Sequence, residues 1–222
     1  MFEHELQNAY IWYLREPWAN TLAYFPLVDD VLDHVWSNTL SNPSNLTKWT
    51  IWYNFNKKST WPQVWCTFNN WNVKFLSLWY KVNSVTWSWN TIIAEIEKYG
   101  AVAYNPSHIE SRLNNKIAVF SDSNYSLWGS VAWMSFNARH HITVWCDGSK
   151  ILISKDGVQE VLYNWTGYTG WGDTVSLVRE WTGTGKNITL NADLSEFICE
   201  AACRSSQEIL DYYNLTKSAY GY

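Results

Sequence analysis

The strongest constraint on the fold lies between His140 and Glu160. Ile142, Val144 and Cys146 alternate with Thr143 and Trp145, a period of two that sends apolar side chains to one face of a strand. Asp147-Gly148 then supplies a turn, because glycine accepts positive φ and aspartate can bond its own backbone. Ile151 and Ile153 resume the alternation, and Asp156-Gly157 makes a second turn before Val158. Three short strands joined by two tight turns form an antiparallel meander. Residues 158–163 and 174–179 read as its continuation.

The rest of the chain repeats this grammar. Strand-like runs occur at 22–27, 49–55, 64–68, 73–82, 101–104, 116–120, 131–137 and 188–200. Pro26 assigns the first to a sheet edge, since proline cannot donate to a ladder. The run 73–82 is the most apolar and is expected to be central. Residues 92–99 carry Ile92, Ile93 and Ile96 among charges, which also suits a helical turn; the segment is short, and a strand is expected. Turns about every eight to twelve residues point to an all-β sandwich or barrel. One helix is expected after Ser205, because Ser205 and Glu208 match a capping box and Ile209, Leu210 and Tyr213 fall on one face. Residues 1–20, broken by Glu16-Pro17, read as an arm or linker, 21–216 as one domain and 217–222 as a tail.

With 222 residues the chain can bury a sizeable core in one domain. Its net charge is −4 and only 16% of residues are charged, so it has no basic stripe for nucleic acid or anionic membrane. It contains no run of about 18 apolar residues to insert in a bilayer, and Glu3, His4 and Glu5 do not open a signal peptide. The four cysteines, Cys66, Cys146, Cys199 and Cys203, permit three pairings, which the sequence leaves open; free thiols are the simplest expectation.

The departure from expectation is tryptophan, at 17 residues against 10 glycines. Glycine averages about 7% of residues, and a turn-rich β-protein should not be short of it. Yet Trp36, Trp71, Trp87, Trp128, Trp165 and Trp181 sit among turn residues, where glycine fits without steric cost. Two readings stand: several of these codons are UGA, read as glycine in some bacterial lineages, or the aromatics form a surface that stacks on sugar rings.

Four stretches, in order, resemble the laminin-G-like or concanavalin A-like jelly-roll family. They are Leu22 to Leu27 followed by Asp30 to Asn38; Leu76 to Val82, with Trp79-Tyr80-Lys81; Arg139 to Val144 with Lys155-Asp156-Gly157; and Leu194 to Ile198 followed by Ser205 to Tyr213. The resemblance covers residues 20–215 and implies a jelly-roll β-sandwich with one short C-terminal helix. It departs from the family pattern at Trp36, where a glycine is usual, and at Ser195, where an aspartate is. It also implies a structural Ca²⁺, for which Asp33, Asp193 and Glu196 are the candidate oxygen ligands.

Some members of this fold are endoglucanases. Retaining glycoside hydrolases need two carboxylates about 5–5.5 Å apart, and no Glu-x-Asp-x-x-Glu strand occurs here. In a regular strand Glu196 and Glu200 would share a face and Asp193 the opposite one. His140 and His141, adjacent on a strand, are expected to leave one imidazole buried and one exposed, unable to chelate one ion together. Gly183 to Lys186 lacks the spacing of a phosphate loop. Trp165, Tyr168, Trp171 and Asp173, in one loop, offer an aromatic platform with a carboxylate. The expected function is therefore a non-catalytic binding or adhesion module for glycan or a surface protein, extracellular, at a cell surface or on a virion. The alternatives are a structural spacer or fibre domain of a surface appendage or phage tail and, third, a glycoside hydrolase. The coding DNA checks the recoding reading: UGA is expected at several of these six turn positions, and UGG at all of them would refute it.

Overall fold

The computed structural model describes residues 21–25, 47–48, 53–57, 64–67, 74–85, 91–97, 107–112, 116–120, 128–133, 135, 137–146, 150–164, 174–180 and 190–221. The arm at 1–20, the expected strand at 101–104 and the Asp147-Gly148 turn lie outside them. The strands in chain order are β1 (Thr21–Phe25), β2 (Thr47–Lys48), β3 (Tyr53–Lys57), β4 (Val64–Thr67), β5 (Phe75–Val85), β6 (Thr91–Glu97) and β7 (Ser107–Arg112). They continue with β8 (Lys116–Phe120), β9 (Trp128–Trp133), β10 (Arg139–Cys146), β11 (Lys150–Lys155), β12 (Val158–Asn164), β13 (Thr174–Glu180) and β14 (Leu190–Glu200). One helix follows, α1 (Ser206–Thr216).

The chain is an all-β jelly-roll sandwich with a short C-terminal helix. One sheet is 8-stranded, in the order β12-β11-β10-β5-β14-β3-β2, with β1 also paired to β14; the other is 6-stranded, in the order β4-β13-β6-β7-β8-β9. All pairings among the described strands are antiparallel. Strand β5 is central, as its apolar run requires, between β10 and β14. Strand β14 pairs with β5 along its length, and with β3 and then β1 along its other edge. The 91–97 segment is a strand. Strand β7 was hidden by its polar sequence, Ser-His-Ile-Glu-Ser-Arg, which carries one apolar residue.

The meander is real but shorter than its pattern suggests. β10, β11 and β12 pair in succession, and Lys155 faces Val158 across a two-residue turn. Asp156 and Gly157 have φ of 53° and 79°, the backbone that hairpin turns with both central residues at positive φ need. β13, read as a further strand of the meander, belongs instead to the other sheet.

The centre of the 8-stranded sheet, formed by β5, β10 and β14, is buried on both faces. Away from α1 lie Phe25, Leu76, Leu78, Tyr80, Ile142, Val144, Leu194 and Phe197, all 5% exposed or less. The opposite face carries Phe75, Trp79, Trp145, Leu152 and Ile198, and α1 covers it with Ile209, Tyr212 and Tyr213. Trp79 stacks on Tyr213 with ring centroids 5.8 Å apart and meets Tyr220 at 5.1 Å. The helix begins as its sequence dictates: Glu208 N–H donates to Ser205 Oγ, and Ser205 N–H donates to Glu208 Oε2 at 2.7 Å. Its buried side is Ile209, Tyr212, Tyr213 and Thr216. Leu210, expected on that side, is exposed. The segment 217–222, expected to trail as a tail, instead buries Tyr220 completely.

Deleting residues 217–222 is therefore expected to cost about 3 kcal/mol, the scale of losing one buried aromatic; an unchanged urea midpoint would contradict it. The bonds from Ser205 also hold the Glu208 carboxyl below its usual range. A carboxyl whose folded pKa is depressed stabilises above its unfolded pKa and loses that contribution as pH falls through the folded value. Glu208→Gln should thus melt below wild type at neutral pH and level with it in acid. A gap that persists in acid would show that the charge is not the cause.

Candidate functional site

Trp165, Tyr168, Trp171 and Asp173 lie outside the described residues, but the strands that anchor their loop do not. The loop leaves β12 at Asn164, opposite Lys150. It enters β13 at Thr174, which faces Thr67 on one side and Glu97 on the other. The loop thus runs from the edge strand of the 8-stranded sheet to an interior strand of the 6-stranded one. Asp173 directly precedes that interior strand.

Of the candidate calcium ligands, Asp33 lies outside the described residues. Asp193 Oδ2 is 3.9 Å from Lys81 Nζ. Glu196 is fully buried and accepts a hydrogen bond from the Tyr212 hydroxyl. An ammonium beside one carboxylate and a phenol on the other make a poor cradle for a hard dication, which needs six or more oxygens. Among the described residues no group of three or more His, Cys, Asp or Glu converges as metal ligands.

The strand geometry here differs from simple alternation. Glu196 has φ of 53°, and the pairing of β14 with β5 shifts between Ser195 and Phe197. This β-bulge adds a residue to β14 and resets which face follows. Asp193 faces Lys81 and Ser195 faces Trp79 before the bulge; Glu200 faces Phe75 after it. All three are on the α1 side, where Glu196 meets Tyr212. The expectation that Asp193 faces away from Glu196 and Glu200 is thereby corrected. Glu196 and Glu200 are 0% and 3% exposed, closed to a polysaccharide chain. Glu200 takes Arg204 Nε–H at 2.8 Å and a second bond from the same guanidinium. Burial nevertheless pushes the Glu200 carboxyl above its usual range, against the pull of Arg204. Cys199 is buried and Cys203 half-buried.

Both histidines are buried, contrary to the expectation of one exposed ring, because α1 covers the face that alternation alone assigns to solvent. His141 is fully buried, 4.9 Å from the Trp79 ring and 2.8 Å from Ser77 Oγ. His140 points to the other face, against Tyr80. Its Nδ1 donates to Asp156 Oδ2 at 2.8 Å, and its Nε2 lies 3.4 Å from both the amide nitrogen and the hydroxyl of Ser135. Asp156 is held in turn by the His141 N–H on Oδ1 at 2.9 Å. The sequence reading missed this Ser135–His140–Asp156 grouping. The signal was register: Ile142 faces Lys155, so the β11–β12 turn sits beside the start of β10.

No family model and no curated protein matches the chain. Solved structures resemble it in fold. A Trypanosoma rangeli sialidase in complex with sialic acid matches with a TM-score of 0.67 at 8% identity, over 92% of this chain and 34% of its own. Botulinum neurotoxin type C, whose cell entry depends on interaction with two ganglioside molecules, matches with a TM-score of 0.66 at 13% identity, over 88% and 51%. The binding domain of botulinum neurotoxin serotype C1 matches with a TM-score of 0.68 at 14% identity, over 88% and 52%. The chain thus spans about a third of the sialidase and about half of the neurotoxin chains. What it shares with these proteins is the all-β antiparallel fold.

Proposed function

We propose that the chain is a carbohydrate-binding module, recognising sialylated or related glycans at a cell surface through the loops of its sandwich. The observation that carries this reading is the shared fold: two of the similar structures are described by their sialic acid or ganglioside ligands. The loop at 164–173 supports it by its content. Trp171 and Tyr168 supply flat faces for a sugar ring, Asp173 an acceptor for its hydroxyls, and Trp165 a third face if it is tryptophan in the native protein. Glycosidic cleavage by the β14 carboxylates has no support, because Glu196 and Glu200 are buried. Of the three candidate calcium ligands, Asp193 and Glu196 are engaged by Lys81 and Tyr212, so a calcium ion would have to rest on Asp33 and other oxygens of the loops.

A glycan array probed with and without EDTA tests both parts. Binding to sialylated glycans is expected, and Trp171→Ala should weaken it about tenfold or more, the scale of a stacked aromatic hot spot. Loss of binding in EDTA supports the calcium role, and full retention removes it. Absence of binding in both conditions refutes the glycan reading and favours a structural spacer.

A further inference from the structure

We propose that Ser135, His140 and Asp156 form a nucleophilic relay that takes an acyl group from a small carboxylic ester, a chemistry separate from glycan binding. Nucleophilic catalysis by serine needs a base within hydrogen-bond reach of the hydroxyl and a third group that orients the base. Those parts are present. The carboxylate of Asp156 accepts His140 Nδ1–H at 2.8 Å, and its other oxygen is fixed by the His141 amide at 2.9 Å. That bond places the proton on Nδ1 and leaves the Nε2 lone pair directed at Ser135. The Ser135 N–H, which can only donate, points to the same nitrogen at 3.4 Å and so independently assigns Nε2 as an acceptor. Ser135 Oγ is also 3.4 Å from Nε2, a loose contact of the kind that tightens when substrate binds.

Exposure separates this group from the Ser77–His141 pair. Ser77 and His141 are 1% and 0% exposed, beneath α1, and no substrate reaches them. Ser135 is exposed while His140 is buried, so the nucleophile faces solvent and the base is held rigid. The backbone is fixed as well: Asn137, at φ 62°, donates its N–H to Val82 O at 2.8 Å.

In the reaction, Ser135 Oγ bonds to the ester carbonyl carbon as its proton passes to His140 Nε2. The ester C–O bond breaks, and the departing alkoxide takes that proton to leave as an alcohol. Water, giving a proton to the same nitrogen, then attacks the acyl-serine and releases the carboxylic acid, restoring Ser135. No electrons are gained or lost overall.

The test is labelling with a fluorophosphonate, whose fluoride leaves as the serine oxygen bonds phosphorus, followed by peptide mapping, alongside phenol release from phenyl acetate. The native protein is expected to acquire the label on Ser135, and a chain unfolded in urea before the reagent is added to acquire none, because the relay exists only in the fold. His140→Gln, confirmed as folded by circular dichroism, should slow labelling by about 10²-fold or more. Ser135→Ala, at an exposed position, should keep the wild-type melting temperature and lose phenol release above background. No label on Ser135, equal labelling of native and unfolded chain, or phenol release undiminished in Ser135→Ala would each overturn the proposal.

Discussion

The structure depends on the aromatic contact between α1 and the 8-stranded sheet. Trp79 lies at the centre of that sheet, with Tyr213, Tyr220 and His141 ranged around its ring. Large aromatic rings bury more area than aliphatic side chains and gain further from offset packing. The helix does not merely end the chain, because it supplies the second apolar layer over β5, β10 and β14. Strand β5 consequently reads as a nearly continuous apolar run from Phe75 to Tyr80, broken only by Ser77, the pattern of a strand covered on both sides.

Covering that face has an electrostatic consequence. The bulge at Glu196 brings carboxylates to a surface that α1 then seals, and burying an unpaired charge is costly. The chain answers residue by residue: Tyr212 donates to Glu196, Arg204 forks onto Glu200 from four residues on, and Lys81 lies near Asp193. The Arg204 guanidinium also lies over the Phe75 ring, at 5.2 Å, so the same cation pairs with a carboxylate and packs on the core. Carboxylates committed in this way are framework.

The two adjacent histidines show how one sheet divides its roles by face. Period-two geometry sends His141 under the helix and His140 the other way. His141 becomes part of the aromatic packing. His140 is tied to the Asp156 turn and to Ser135, so a hairpin turn, a strand start and an exposed hydroxyl meet within hydrogen-bond reach. The meander thus does more than set the fold, because its second Asp-Gly turn also orients an imidazole.

Local patterns settled the elements whose causes are local. Asp156-Gly157 defined its turn because few residues accept positive φ, Ser205 and Glu208 defined the helix start by reciprocal bonds, and the apolar run at 73–82 defined a central strand. Hydrophobic alternation also identified the antiparallel β class. What depends on distant segments was not legible. β13 pairs in the other sheet because its partners, β4 and β6, are remote in sequence. The bulge at Glu196 breaks the period-two count without any glycine to announce it. Tyr220 and both histidines are buried because α1 folds back over the sheet, which no local period encodes. The Ser135–His140–Asp156 grouping follows from strand register, fixed only when β10 and β11 pair. The sequence alone determined the Asp156-Gly157 turn, the helix start and most of the strands, though not polar β7, because those are short-range choices of backbone and capping. The tertiary structure alone decided which faces are sealed and which side chains meet, because burial is set by whatever packs on top.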